Sequence, residues 1–191
     1  VLLKVDRQTF VPSLTAGLIV WQLISSCLIE SSTVFARQAN IIRNLRLPYF
    51  LHPMQLVMRH AINFFHNLVV FAVVAIFFSV PLSWSTLLFI PGLFIVMLNL
   101  LWISLFIGML GARFRDVEHA LAALVPLLFF VSPVIYRPDY LPFQSTIVWL
   151  NPIAHFIEII RDPLLGSVPP AFVYLTNFAI LCCGWLVTLL L

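Results

Sequence analysis

The sequence predicts an all-α integral membrane protein, and three observations carry that expectation. Of its 191 residues, 62% are hydrophobic and only 9% charged, with a mean hydropathy of +1.09. Soluble domains run nearer ~45–50% apolar and ~25% charged. That leaves too little polar surface to cover a globule, so lipid must solvate most of the side chains. Apolar runs close to the ~20 residues that a bilayer requires recur along the chain. Finally, the basic residues are concentrated. Arg37, Arg43, Arg46 and Arg59 share one stretch between two apolar runs, and that stretch holds no acid. Such loops orient a membrane protein.

In chain order, residues 1–12 hold Lys4, Asp6, Arg7 and Pro12 and read as an interfacial lead-in. The first span is expected over residues 13–35. It is polar for a span, with Gln22, Ser25, Ser26, Glu30 and Thr33. Glu30 falls near its end, where a carboxylate can pair with an arginine or stand at the mouth of a translocation path. Residues 37–47 read as a short helix with Ile41, Ile42 and Leu45 on one face, ended by Pro48, which disfavours helix at Leu47. It can lie on anionic lipid or dock a soluble partner. A second span is expected over residues 61–80, a third over 87–110 with a lone Asn99, and a fourth, short one over 121–135 with Pro126 and Pro133. Residues 143–150 and 153–160 are each too short to cross the ~30 Å hydrocarbon core, so both read as re-entrant or surface helices. The last span covers residues 171–191. The fold expected is thus five spans plus two short re-entrant helices in one domain.

The basic residues orient this arrangement. With residues 37–59 facing the cytoplasm, six basic residues lie inside (Arg37, Arg43, Arg46, Arg59, Arg113, Arg115) and four outside (Lys4, Arg7, Arg137, Arg161). Val1 is then outside and the C-terminus inside. A chain whose start is cytoplasmic would need one further span, so a six-span gene product, truncated here at the N-terminus, is the expectation.

Several chemistries are excluded by inventory. Lys4 is the only lysine and follows no glycine loop, so there is no phosphate-cradling GxxxxGK[ST] motif. There is no GxSxG elbow, no HExxH and no paired-carboxylate candidate. Cys27, Cys182 and Cys183 form no CxxC pair, and the five histidines show no ligand spacing, so no metal site is expected. Sparse basic residues argue against nucleic acid. What remains is a polar stripe entering the second span (Asn63, His66, Asn67) and aromatic residues at the outer interface (Trp84, Tyr136, Tyr140, Trp149). The stripe suits interhelical hydrogen bonds or a conduit lining. The aromatics suit a membrane belt or a surface for stacking sugar rings.

Four patches in a fixed order then carry a resemblance: NIIRNLRLP at 40–48, GARFRDVEH at 111–119, FFVSPVIY at 129–136 followed by Leu141 and Pro142, and LNPIAHFIEIIRDPLLG at 150–166. Together they resemble the permease subunits of ABC-2 type exporters, especially those moving lipid-linked polysaccharide such as O-antigen or capsule. The resemblance implies a permease homodimer in the bacterial inner membrane. It implies a separate ATP-binding cassette subunit that binds ATP and magnesium, leaving this chain without a cofactor or catalytic residues. Asn40, Ile41, Ile42, Arg43, Asn44, Leu45, Arg46 and Leu47 would form the coupling helix that seats in that subunit. Arg113, Arg115, Asp116 and Glu118 would belong to the second cytoplasmic connection, and the two short helices would gate the exit. Glu30, Asn63, His66, Asn67, Tyr136, Tyr140 and Trp149 are the pathway-lining candidates. Teichoic acid or a small amphiphilic drug as cargo, or a non-conducting assembly subunit, are the rival readings.

Overall fold

The computed structural model describes residues 7–45, 47–81, 83–136 and 149–190. All regular structure among them is helical. The elements are α1 (Arg7–Ser31), α2 (Val34–Arg37), α3 (Ala39–Asn44), α4 (Leu51–Phe77), a 3-10 turn (Trp84–Leu88), α5 (Phe89–Arg113), α6 (Asp116–Val131), α7 (Pro152–Leu164) and α8 (Ala171–Leu190). α1 packs on α4, α5, α6 and α7, and α5 packs on α4, α7 and α8, so α1 and α5 form the centre of the bundle. Their shared core includes Val20, Leu23, Ile24, Val96 and Leu100, with Ile157 and Ile160 of α7 pressed into it.

Four helices among the described residues are long and apolar enough to cross a membrane: Arg7–Ser31, Leu51–Phe77, Trp84–Arg113 and Ala171–Leu190. The expected fourth span is shorter than a bilayer. α6 has 16 residues, about 24 Å of helix against a core of ~30 Å. It begins at the charged turn, contains Pro126 and stops at Ser132, which is extended ahead of Pro133. Val125 is its only buried residue, so most of its surface is left exposed.

Other boundaries also move. α1 begins at Arg7 rather than after an interfacial lead-in, and it breaks at Ser32–Thr33 before α2. α4 begins at Leu51, ten residues before the expected span, with Pro53 in its first turn, where a missing N–H costs nothing. Residues 51–59 of the basic stretch are therefore helix, not loop. The expected helix over 37–47 divides into α2 and α3. Its last residue is Asn44, because Leu45 turns extended (φ −124°, ψ 130°) and closes the helix by donating its N–H to the Ile41 carbonyl at 2.8 Å. The loop expected at 111–120 is only Phe114–Arg115, between the ends of α5 and α6. α7 continues past residue 160 through Arg161, Asp162 and Pro163, and is buried along most of its length. Of the other expected short helix, residues 143–148 lie outside the described residues, as do Lys4, Arg46, Arg137 and Tyr140.

Close approaches account for two glycines. Pro163 lacks the N–H that the Ile159 carbonyl would otherwise accept, and this freed carbonyl lies against α5 at Gly92. A methyl group there would meet the oxygen at 2.5 Å. Gly111 does the same at the other end, where the Ser32 carbonyl at the α1–α2 break occupies the place of a side chain.

Candidate functional site

Two polar assemblies stand at opposite ends of the bundle. At the basic end, Glu30 near the end of α1 receives Arg59 of α4 in a close ion pair. Arg37 of α2 approaches the same carboxylate at 3.5 Å and His60 at 3.3 Å. The sequence offered Glu30 as a paired carboxylate or a path mouth, and the pairing is what the structure shows directly. Beside it, Gln38 joins three helices. Its Nε2 donates to Gln55 Oε1 at 3.1 Å, and its Oε1 lies 3.2 Å from His52 Nδ1. Phe35 packs edge-on against the His52 ring at 6.2 Å. The joint between α2 and α3 is thereby bound to the first turns of α4, while Glu30 ties α1 to both.

α3 itself projects from this joint and buries no residue. Ile41, Leu45, Leu47, Tyr49 and Phe50 stand exposed, an apolar surface with Arg43 and Asn44 beside it. The neighbouring α5–α6 turn carries Arg113, whose guanidinium lies 5.6 Å from the Phe114 ring. Arg115 precedes α6, and Asp116 and Glu118 occupy its first turn, where negative charge complements the helix dipole. The polar stripe expected on α4 is present as a surface. Asn63 and His66 are exposed, and Asn67 donates to Gln22 Oε1 of α1 at 3.0 Å.

At the far end, Arg161 of α7 is fully buried. It pairs closely with Glu158 one turn earlier, and Nη1 donates to the carbonyls of Pro133 at 2.5 Å and Tyr136 at 3.3 Å. Asn151 caps α7 by accepting the Ile153 N–H at 3.0 Å and reaches Ser132 Oγ at 2.9 Å. α7 is thus fastened to the segment leaving α6. Burial raises the Tyr136 hydroxyl above its ordinary value of 10.0, with the Arg161 charge opposing the shift. Trp149 packs edge-on against Phe172 at 4.9 Å, and its carbonyl lies 2.8 Å from His155 Nε2. It is therefore held within the protein at this end, whereas Trp84 stands 87% exposed, as a belt residue would. Burial holds His155 below its ordinary 6.5 despite that hydrogen bond.

A buried relay links these helices. Trp102 Nε1 donates to Asn99 Oδ1 at 3.0 Å, and Asn99 Nδ2 donates to the Asn177 carbonyl at 3.2 Å. Asn177 Nδ2 donates in turn to the His155 carbonyl at 3.0 Å. Asn99 stood out as the only amide side chain in its run. Asn177, Gln38 and His52 carried no such signal, because their partners are distant in sequence. No group of three or more potential metal ligands occurs among the described residues.

The sequence profile of the ABC-2 type transporter family matches residues 2–165. The chain belongs to the ABC-2 type transporter family. Among its relatives are two proteins of Klebsiella pneumoniae named O-antigen export system permease protein RfbA. One is 26% identical over 188 residues, covering 95% of this chain and 73% of the relative. The other is 27% identical over 167 residues, covering 86% and 64%. A Myxococcus xanthus protein of the same name is 23% identical over 140 residues, covering 72% and 54%. As an ABC-2 membrane domain the chain is a multi-pass, non-catalytic transport subunit, and membership implies an ATP-binding cassette partner. At family level the relatives support polysaccharide export.

Proposed function

We propose that this ABC-2 chain is the permease subunit of an exporter that carries lipid-linked polysaccharide, of O-antigen or capsule type, across the bacterial inner membrane. The observation that carries the reading is the construction of the basic end. α3 offers an exposed apolar surface, and its root is bound through Gln38 to α4 and through Arg37 and Glu30 to α1. A cytoplasmic ATPase that grips Ile41 and Leu45, with Arg43 and Asn44 alongside, would move α1 and α4 together. Energy enters at α3 because the chain has no nucleotide-binding motif of its own.

Two copies form the conduit. Supporting this is α6, whose exposed Leu124, Leu127, Phe130 and Val131 leave an apolar face for a partner helix. The polar groups Gln22, Asn63, His66 and Asn67 near the basic half, with Glu30 at the mouth, line part of the route. α7, buried and fastened by Arg161, closes the far end. The cargo assignment rests on the names of the relatives.

The test is to purify the complete permease with its co-expressed ATPase and add candidate ligands. Stimulated ATP turnover by a lipid-linked polysaccharide is expected. Response to teichoic acid precursors or small amphiphiles, with none to lipid-linked polysaccharide, would overturn the cargo assignment. Failure of any ATPase to co-purify would overturn the exporter reading and favour an assembly subunit.

A further inference from the structure

Between α1, α2 and α4 at the basic end lies a cleft of about 400 Å³, whose polar lining includes Glu30, Arg37, Gln38, His52, Gln55 and Arg59. We propose that it binds the phosphodiester headgroup of a lipid in the adjoining leaflet, one whose headgroup also carries a hydroxyl. The proposal does not depend on the identity of the exported cargo.

Depth is the first argument. From Arg59 to Phe77, α4 runs for roughly 27 Å at 1.5 Å per residue, which matches the ~30 Å hydrocarbon core. Arg59 therefore stands at the level of lipid phosphates. Met58 and Ile62 also line the cleft and are exposed, so its apolar wall continues onto the lipid-facing side of α4. A headgroup can be held there without its acyl chains leaving the bilayer.

Charge is the second. Arg37 and Arg59 converge on a single carboxylate, so with neutral histidines the lining carries one net positive charge. A phosphodiester supplies one negative charge. Each guanidinium has five N–H donors, and one Nη of each contacts Glu30. Both arginine side chains remain more than half exposed, at 61% and 56%. Their remaining donors present the planar fork that matches phosphate oxygens.

His52 is the third and independent observation. It lines the cleft while only 3% exposed, and its Nε2 has no partner among the described residues. Its Nδ1 faces Gln38 Oε1 and must donate to it, so in the neutral ring Nε2 is the acceptor. A buried ring nitrogen rarely goes unpaired. A headgroup hydroxyl beside a phosphate held by the arginines would supply the missing donor.

The test uses the full chain in detergent and dioctanoyl phosphatidylglycerol as the probe, with bound lipid counted by native mass spectrometry. Arg59→Gln and Arg37→Gln should each weaken binding about fivefold, the factor that corresponds to roughly 1 kcal/mol per basic residue at a membrane surface. Arg59→Lys should recover most of the loss. Glu30→Gln should strengthen binding by a similar factor, a gain that misfolding cannot mimic. His52→Phe should erase the preference for phosphatidylglycerol over the corresponding phosphatidic acid methyl ester. Affinity unchanged in the arginine variants, or weakened in Glu30→Gln, would show an internal ion pair and overturn the proposal. Equal binding of dioctanoylglycerol would show an apolar groove only. Equal binding of glycerol phosphate would show a site for soluble phosphate rather than lipid.

Discussion

Replacing Arg161 with Leu removes a fully buried cation at the far end of the bundle, and the structure gives the expected cost. The guanidinium is fully buried, pairs with Glu158, which is itself 4% exposed, and donates to two backbone carbonyls. Removing one member of a buried pair typically costs about 3–5 kcal/mol, because the other charge is stranded. The carbonyls of Pro133 and Tyr136 lose a donor as well. Arg161→Lys keeps the charge, but a compact ammonium cannot reach Glu158 and both carbonyls in the geometry of the fork, so an intermediate loss is expected. Arg161→Leu combined with Glu158→Leu should recover much of the stability, since apolar replacements of a buried pair are often neutral or stabilising. Reversible SDS titration in mixed micelles, read by circular dichroism, measures these variants beside wild type and the single Glu158→Leu variant. A single-variant loss below about 1 kcal/mol would refute the reasoning, for that is the scale of an exposed ion pair. So would strict additivity in the double variant.

Three further outcomes are expected. Arg43→Asp with Leu45→Asp should abolish co-purification of the ATPase while the permease stays in the membrane at normal levels, because α3 buries nothing within the chain. Asn177→Leu should destabilise the bundle by about 1–2 kcal/mol in the same SDS titration, the scale of interhelical hydrogen bonds in lipid, since the Asn177 side chain donates to the His155 carbonyl of α7. His155 has a folded value below its ordinary 6.5, so the fold resists its protonation. Its contribution to stability is complete above pH 6.5 and is lost as pH falls from there toward the lower folded value. Melting temperatures from pH 7.5 to 5 should therefore decline more steeply for wild type than for His155→Gln, and equal slopes would contradict the assignment.

Hydropathy read the lipid-embedded parts of the helices well and their ends poorly, for a physical reason. Apolar runs report where a helix meets lipid, whereas helices continue into water as long as their backbone bonds are met. α4 keeps its helix through Arg59, Gln55 and His52 because one face of those turns packs on the α1–α2 joint. Arg161 looked like a loop charge for a similar reason. Its partner Glu158 is one helical turn away, but α7 was expected to stop at residue 160. Pro163 does not end α7, and the Ile159 carbonyl it frees lies against Gly92 of α5. The apolar face of the segment at 40–47 was legible from spacing, while the joint that ties it to α1 and α4 was not. Gln38 acts through partners 14 and 17 residues onward, and no local pattern marks such a residue.

Export itself is the most direct test. The complete permease and its ATPase, reconstituted in liposomes with the α3 surface outward, should move a lipid-linked polysaccharide to the lumenal leaflet when ATP is added outside. Protection of the glycan from an external glycosidase reports that movement. ATP-dependent protection is expected, and it should be lost with the Arg43→Asp, Leu45→Asp variant. Protection without ATP, or unchanged in that variant, would contradict energy input through α3.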